Sequence, residues 1–299
     1  MNMAVLGKGS AHGACSLLHA AALGYGASIA LDLPITVRLL DKPSKREVDD
    51  GDNLLDSILH VWIEAGLPLP EGFQREELHW GVKSKVPKQQ GLKSSSALCV
   101  AAFRALGDAT GNEVSDVLAV ELSGQAQIHA GVSLTGSIDD AWACATTGWK
   151  LVDPQAEVQS GVLLEGDGPN PDDWAIILIL RGAREQRPTM EDFVPHTSAF
   201  QQALSALQNG QELVALTWNG RGMVATLGDA EGRKMTNDSF VNSARAAGLS
   251  GSGPALVVVV PSQQKPTIER IKSWYSMRHK NAEIIETRFL SSEYEQPDE

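Results

Sequence analysis

The chain has 299 residues, 42% apolar and 21% charged, which is enough for one large domain or two modest ones with a substantial core and excludes a disordered composition. Its net charge of −12 argues against a nucleic-acid backbone as partner, since such backbones are met by basic patches, but leaves room for small anionic ligands in a local cationic pocket. Three widely spaced cysteines without a CxxC pair, seven histidines without an HExxH, and the absence of any run near the ~18 apolar residues of a membrane span argue against a disulfide framework, a zinc cluster and a transmembrane protein.

The N-terminal stretch MNMAVLGKGSAHG lacks the long apolar core of a signal peptide, so a soluble, cytosolic protein that binds neither nucleic acid nor membrane is expected. MAVLG (3–7) and ASIALDLPITVRLLD (27–41) are predicted strands, with β-branched residues bounded by glycine or charge. Between them CSLLHAAALGYG is a short helix or a buried loop, alanine and leucine favouring helix. DKPSKREVDDGDN is a polar surface loop, and LLDSILHVWIEAG a helix stopping at Gly66. Leu78, Trp80 and Val82 alternate in period two, which predicts a half-buried strand. Helices follow over about 94–109 and 113–129.

The second half starts near Gly166. WAIILILRG and PALVVVVP are buried strands, and AEIIETRFL closes the series as a last one. HTSAFQQALSALQNG, ELVALTWNGRGMVATLG, TNDSFVNSARAAG and KPTIERIKSWYSMRHK are predicted helices. Strand, helices, strand, helix, strand suits an α+β layer, and the acidic tail SSEYEQPDE is expected to fray.

Chemistry concentrates first at PKQQGLKSSSALCVAAFRALGDATG (87–111). Leu98, Ala101, Ala102, Ala105 and Ala109 share one apolar helix face, and the first turn carries Ser94, Ser95 and Ser96 behind Gly91 and Lys93. The first N–H groups of a helix lack partners and the dipole makes that end positive, so glycine, hydroxyls and a lysine there form an anion site. One serine is an ordinary N-cap; three in succession exceed what a cap requires. No stretch supplies the Walker A pattern, and GKGSAHG (7–13) has His12 where a dinucleotide fingerprint needs its third glycine.

Pro87-x-x-x-Gly91-Leu92-x-Ser94-Ser95-Ser96-Ala97 resembles the ATP loop of the GHMP kinases, the superfamily named for galactokinase and homoserine, mevalonate and phosphomevalonate kinases. GLKSSSA, with lysine in the variable place, resembles the archaeal shikimate kinase branch. GKGSAHGACSLLHAAALGYGASIALDLPITV and GLSGSGPALVVVV resemble that branch's first and third motifs, and TGSIDDAWA stands where the superfamily carries an acidic active-site segment. The resemblance spans about residues 7–260. It implies a ribosomal protein S5 domain 2-like N-terminal domain over 1–165 and a ferredoxin-like C-terminal domain over 166–299.

It also implies ATP-dependent phosphorylation of shikimate to shikimate 3-phosphate, with Mg²⁺. Residues 87–97 would wrap the nucleotide, with Lys88, Gln89 and Gln90 in the variable places, Lys93 in the catalytic set and Ser95 in reach of the metal. Gly248 to Pro254, with Ser250, Gly251 and Ser252, would line the phosphates or the acceptor, the competing reading being a plain turn between helix and strand. Asp139 is the candidate for orienting or deprotonating the acceptor hydroxyl, with Asp140 as understudy; alternatively one of them caps the helix that follows.

Where several superfamily members supply a glutamate for Mg²⁺, this chain has Gln125 and Gln127, leaving Glu121 as a metal candidate or a solvated surface charge. An acceptor carboxylate needs cations, for which Lys8, Lys93, Arg181, Arg184 and Arg187 are candidates, and Asp32 is placed to bond a ring hydroxyl or to start the Pro34 turn. The competing functions are the same chemistry on another small alcohol, such as homoserine or mevalonate, and a catalytically silent ligand sensor. A decarboxylase on this fold would need a basic pocket for a diphosphorylated substrate, which nothing in the chain suggests.

Overall fold

The computed structural model describes residues 3–44, 46, 48–133, 135–182 and 187–291. The first half is built on an antiparallel sheet of β1 (Val5–Leu18), β2 (Gly26–Leu40), β3 (His79–Ser84), β4 (Trp149–Val152) and β5 (Val162–Gly166). β1 lies along one edge of β2, while β3 and β4 share the other: β3 pairs with residues 35–40 and β4 with residues 26–29. β1 and β2 are joined by the single turn α1 (Ala20–Leu23), capped by Gly24 in the left-handed region. Residues 15–18 therefore continue the strand instead of forming the helix that alanine and leucine suggest, because they are fully covered and pair with residues 27–29 of β2.

Four helices complete this half: α2 (Leu54–Glu64), α3 (Ser94–Thr110), α4 (Asp116–His129) and α5 (Ile138–Ala145). α3 lies directly on β1. A Cβ at Gly7 would sit 2.3 Å from the Ala105 carbonyl oxygen, and one at Gly9 2.1 Å from that of Ala101, so only glycine lets strand and helix backbones meet. The glycines of GKGSAHG thus serve packing, and His12 beside them is buried, its pKa lowered to about 4 chiefly by desolvation.

The second half runs β6 (Trp174–Leu180), α6 (Met190–Phe193), α7 (Thr197–Gln208), α8 (Glu212–Thr226), α9 (Ala230–Val241), β7 (Ala246–Leu249), β8 (Leu256–Pro261), α10 (Lys265–Arg278) and β9 (Glu283–Thr287). Its antiparallel sheet has the order β7-β8-β6-β9. With the helices grouped between β6 and β7 and α10 between β8 and β9, this is the ferredoxin-like arrangement. Ala246 to Gly248 belong to β7, where helix was expected. All three are buried, and the pairing with Val257 to Val259 of β8 overrides the helix preference of alanine.

After β9 the chain returns to the first sheet. Asp32 N–H donates to the Arg288 carbonyl, Leu290 N–H to Ala30, and Gly148 N–H to Leu290, so both halves share one continuous apolar core. Among the described residues no helix is long and apolar enough to cross a membrane.

Candidate active site at the junction of the two halves

A cavity of about 570 Å³ opens between the two halves. Its lining combines several kinds of group. Val48, Val82, Val86 and Leu98 are apolar, and Asp49, Asp50 and Asp52 are acidic; the start of α3 supplies Lys93 to Ser96, the start of α5 supplies Asp139 and Asp140, and the second half adds Arg187, Pro188, Phe193, Gly251 and Ser252.

The start of α3 is an open helix terminus. Its N-cap is Lys93, held at φ 67° in the left-handed region without a side-chain cap, and the first intrahelical bond runs from Ala97 N–H to the Lys93 carbonyl. The N–H groups of Ser94, Ser95 and Ser96 have no partner among the described residues, and neither do the Ser94 and Ser95 hydroxyls. The serines occupy the first three helical positions, so none is a cap. Ser96 is buried, and its hydroxyl donates to Gln127 Oε1 at 3.2 Å. Gln127 on α4 thereby joins the cavity wall.

Lys93 is not a bare charge awaiting an anion. Its Nζ lies 2.7 Å from Asp140 Oδ1 and 2.6 Å from Ser16 Oγ, and Asp140 Oδ1 also accepts from Ser28 Oγ at 2.8 Å. Burial disfavours the Lys93 cation, but Asp140 and then Asp139 outweigh it and hold its pKa above the ordinary lysine value. Burial likewise pushes Asp140 upward, yet Lys93 and the hydroxyl of Ser28 keep it below the usual carboxylate range. Asp139 differs. Burial raises its carboxyl well above that range, the Asp140 charge adds to the rise, and the pull of Lys93 does not cancel them. Asp139 packs on bare backbone: a Cβ at Gly26 would fall 2.4 Å from its Cγ. Neither aspartate caps α5, whose N-cap is Ser137.

The second half reaches the site through its Gly/Ser loop. Ser250 is buried, donates to the Gly91 carbonyl at 2.7 Å and accepts from Ser16 N–H at 3.2 Å. A Cβ at Gly91 would meet the Ser250 carbonyl oxygen at 1.9 Å, and one at Gly253 the Gly91 nitrogen at 2.1 Å. Gly91 and Gly253 thus let the two loops interlock, where the sequence suggested that Gly91 admits a ligand. Gln90 turns the same way. It donates to the Gly182 carbonyl and takes a bond from Ala255 N–H on its own carbonyl, while its buried Oε1 has no partner among the described residues.

The remaining sequence candidates divide sharply. Lys88, Gln89, Gly91, Gly251 and Ser252 line the cavity, with Lys88 paired to Asp49 at 2.8 Å. Pro87, Leu92 and Ala97 do not; Leu92 and Ala97 are in the core, because a loop docking a helix must bury part of itself. Lys8 is exposed near the far end of α3, its N–H bonded to Asp108 at 2.8 Å. Asp32 pairs with Arg288 at 3.1 Å, outside the cavity. Glu121 and Gln125 are exposed on the solvent face of α4, so Glu121 faces away from the cavity. Arg181 is held by both Asp229 oxygens and the Pro254 carbonyl. Arg184 lies outside the described residues. Ser16 and Ser28 had no sequence signal, because each acts through a partner distant in the chain.

Residues 58–148 match the family model described as GHMP kinases N terminal domain. Over 261 residues the chain is 30% identical to the shikimate kinase of Halobacterium salinarum, covering 85% of this chain and 88% of that one. The chain belongs to the archaeal-type shikimate kinases of the GHMP superfamily. The shikimate kinase of Methanothrix thermoacetophila is 26% identical over 283 residues, spanning 91% of this chain and 90% of the relative. The GHMP fold is matched by the crystal structure of the Methanococcus jannaschii mevalonate kinase, with a TM-score of 0.71 at 12% identity over 95% of this chain and 98% of that one. As a member of a kinase family, the protein is a phosphotransferase that uses ATP.

Proposed function

We propose that the protein transfers the γ-phosphate of ATP to shikimate, giving shikimate 3-phosphate. The observation that carries the chemistry is the juxtaposition, in one cavity, of an open helix terminus with a carboxyl pair, Asp139 and Asp140, pushed in opposite directions. Likeness to archaeal shikimate kinases over most of the chain supports the choice of acceptor. We read residues 1–165 and 166–299 as two domains that present the ATP loop and the Gly/Ser loop from opposite sides.

Phosphoryl transfer needs positioning and charge stabilisation more than covalent help from the protein. The N–H groups at the start of α3, with the Ser94 and Ser95 hydroxyls, bind phosphate oxygens. Lys93, fixed by Asp140 and Ser16, stabilises the charge shifted during transfer without having to reorganise. Asp139, its pKa raised and its partner locked in an ion pair, accepts the proton from the attacking hydroxyl; two titratable groups pushed apart in this way take distinct roles.

The donor set fits a Mg²⁺ that enters with the nucleotide. No cluster of three or more His, Cys, Asp or Glu that could hold a metal occurs among the described residues, while the Ser95 hydroxyl offers the kind of single oxygen that Mg²⁺ takes beside phosphate and water. When bound, the ion neutralises phosphate charge, and Ser95 is the residue that would hold it. The test is to identify the product by ³¹P NMR after incubating purified protein with Mg-ATP and shikimate. A monophosphate ester on the 3-hydroxyl is expected; ADP formation without an ester, or an ester on homoserine or mevalonate instead, overturns the reading.

A further inference from the structure

Arg187 stands out when the positive charges of the cavity are followed to their partners. The lysines and arginines that line it among the described residues are Lys88, Lys93 and Arg187. Lys88 is paired with Asp49 and Lys93 with Asp140. Arg187 faces no carboxylate among the described residues, and its contact is a single long bond, 3.4 Å, from Nη1 to the carbonyl of Gly131. Most of its five-donor fork is therefore unspent.

Its position is as informative as its charge. Arg187 comes from the second half, and Gly131 begins the loop of the first half that leads through Ser133 and Ser137 to Asp139. The side chain thus ties the second half to the start of the loop that leads to Asp139, with both ends lining the same cavity. Beside it Pro188 and the buried ring of Phe193 form an apolar wall, with Phe193 held 4.8 Å from the ring of His19 and 5.7 Å from that of Phe200. An acceptor with a carboxylate cannot sit against Asp139 and Asp140 without an opposing cation. Guanidinium is the group that meets a carboxylate through two parallel bonds.

We propose that Arg187 reads the carboxylate of the acceptor and is the specificity-determining residue for a hydroxylated ring acid over an uncharged alcohol. This rests on the acceptor reading given above. It also makes acceptor binding span the two halves, since the carboxylate is held from one and the reacting hydroxyl from the other.

The test compares shikimate with its methyl ester, which keeps the hydroxyls and loses the charge, in wild type, Arg187→Ala, Arg187→Lys and Arg184→Ala. Arg187→Ala is expected to raise the KM for shikimate by roughly 10- to 100-fold, as for the loss of a charged hydrogen-bonded pair, with the KM for ATP unchanged. Its preference for acid over ester should fall to near unity, and Arg187→Lys should restore part of it. Arg187 is exposed and its one bond is long, so the variants are expected to melt with wild type. Retention of the preference in Arg187→Ala, or its loss in Arg184→Ala alone, overturns the assignment and leaves the kinase reading standing. A wild-type enzyme inert toward shikimate overturns both.

Discussion

Two short stretches look alike in the sequence and do opposite work. Gly7-Lys8-Gly9-Ser10 and Gly91-Leu92-Lys93-Ser94 both combine glycine, lysine and serine beside the same helix, α3. At the far end of α3 the glycines of the first stretch lie under the helix backbone and Lys8 points to water. At its start, the second stretch leaves helix N–H groups open and buries Lys93 against Asp140 and Ser16. Residue types alone do not make an anion site. The free terminus of a helix does, and so does a carboxylate that holds the lysine in place.

The contrast breaks most sharply at the two lysines. Lys93→Ala leaves buried Asp139 and half-buried Asp140 without their cation, an expected loss of about 3–5 kcal/mol of stability together with turnover lower by about 10²–10³-fold. Lys8→Ala should stay within about 0.5 kcal/mol of wild type and keep full activity. Urea denaturation and ADP release measure the pair; equal effects at the two lysines would erase the distinction.

Asp139→Asn sharpens the account of the second carboxyl. Turnover should fall by about 10²–10⁴-fold while ATP binding, followed by calorimetry, persists. The pH dependence has a definite sign. Because its folded pKa is raised, Asp139 costs nothing below its unfolded pKa, and it lowers stability increasingly as pH rises from there through the folded value. The asparagine variant should therefore melt above wild type at neutral pH, with the gap closing in acid. In wild type the acid limb of kcat/KM should lie well above the ordinary carboxylate range, and calorimetric scans with pH–rate profiles check both.

Gly9→Ala probes the packing end. Its Cβ would lie 2.1 Å from the Ala101 carbonyl oxygen, so α3 must shift, at about 1–3 kcal/mol, and the loss should appear in the denaturation midpoint. The effect on the KM for ATP should be the smaller one, because Ala101 lies about two turns from the start of the helix. The smallest effect is expected for Glu121→Gln, within about 0.5 kcal/mol and without change in the Mg²⁺ dependence of turnover, because that side chain faces solvent.

Much of the fold was legible where one physical signal dominated. The apolar runs of β6 and β8, and α3 with its small-residue face, were readable because local pattern and burial agree. Residues 15–18 and 246–248 misled because alanine and leucine are helix formers locally, yet strand pairing and complete burial decide. Ser94, Ser95 and Ser96 and the Asp-Asp pair were visible as dense clusters of polar groups at helix starts. Ser16 and Ser28 were not, since a single serine carries no signal until a partner from a distant element arrives. Lys8, Asp32 and Glu121 do not line the cavity, because residue type and place in the chain do not tell which way a side chain faces.

The most direct measurement is ADP release by the purified protein with Mg-ATP and, separately, shikimate, homoserine and mevalonate, run beside the Asp139→Asn variant. Turnover with shikimate alone in wild type, and near silence in a variant that still binds ATP, is the predicted result. Turnover driven by homoserine or mevalonate instead, or a variant that works at the wild-type rate, would contradict the account.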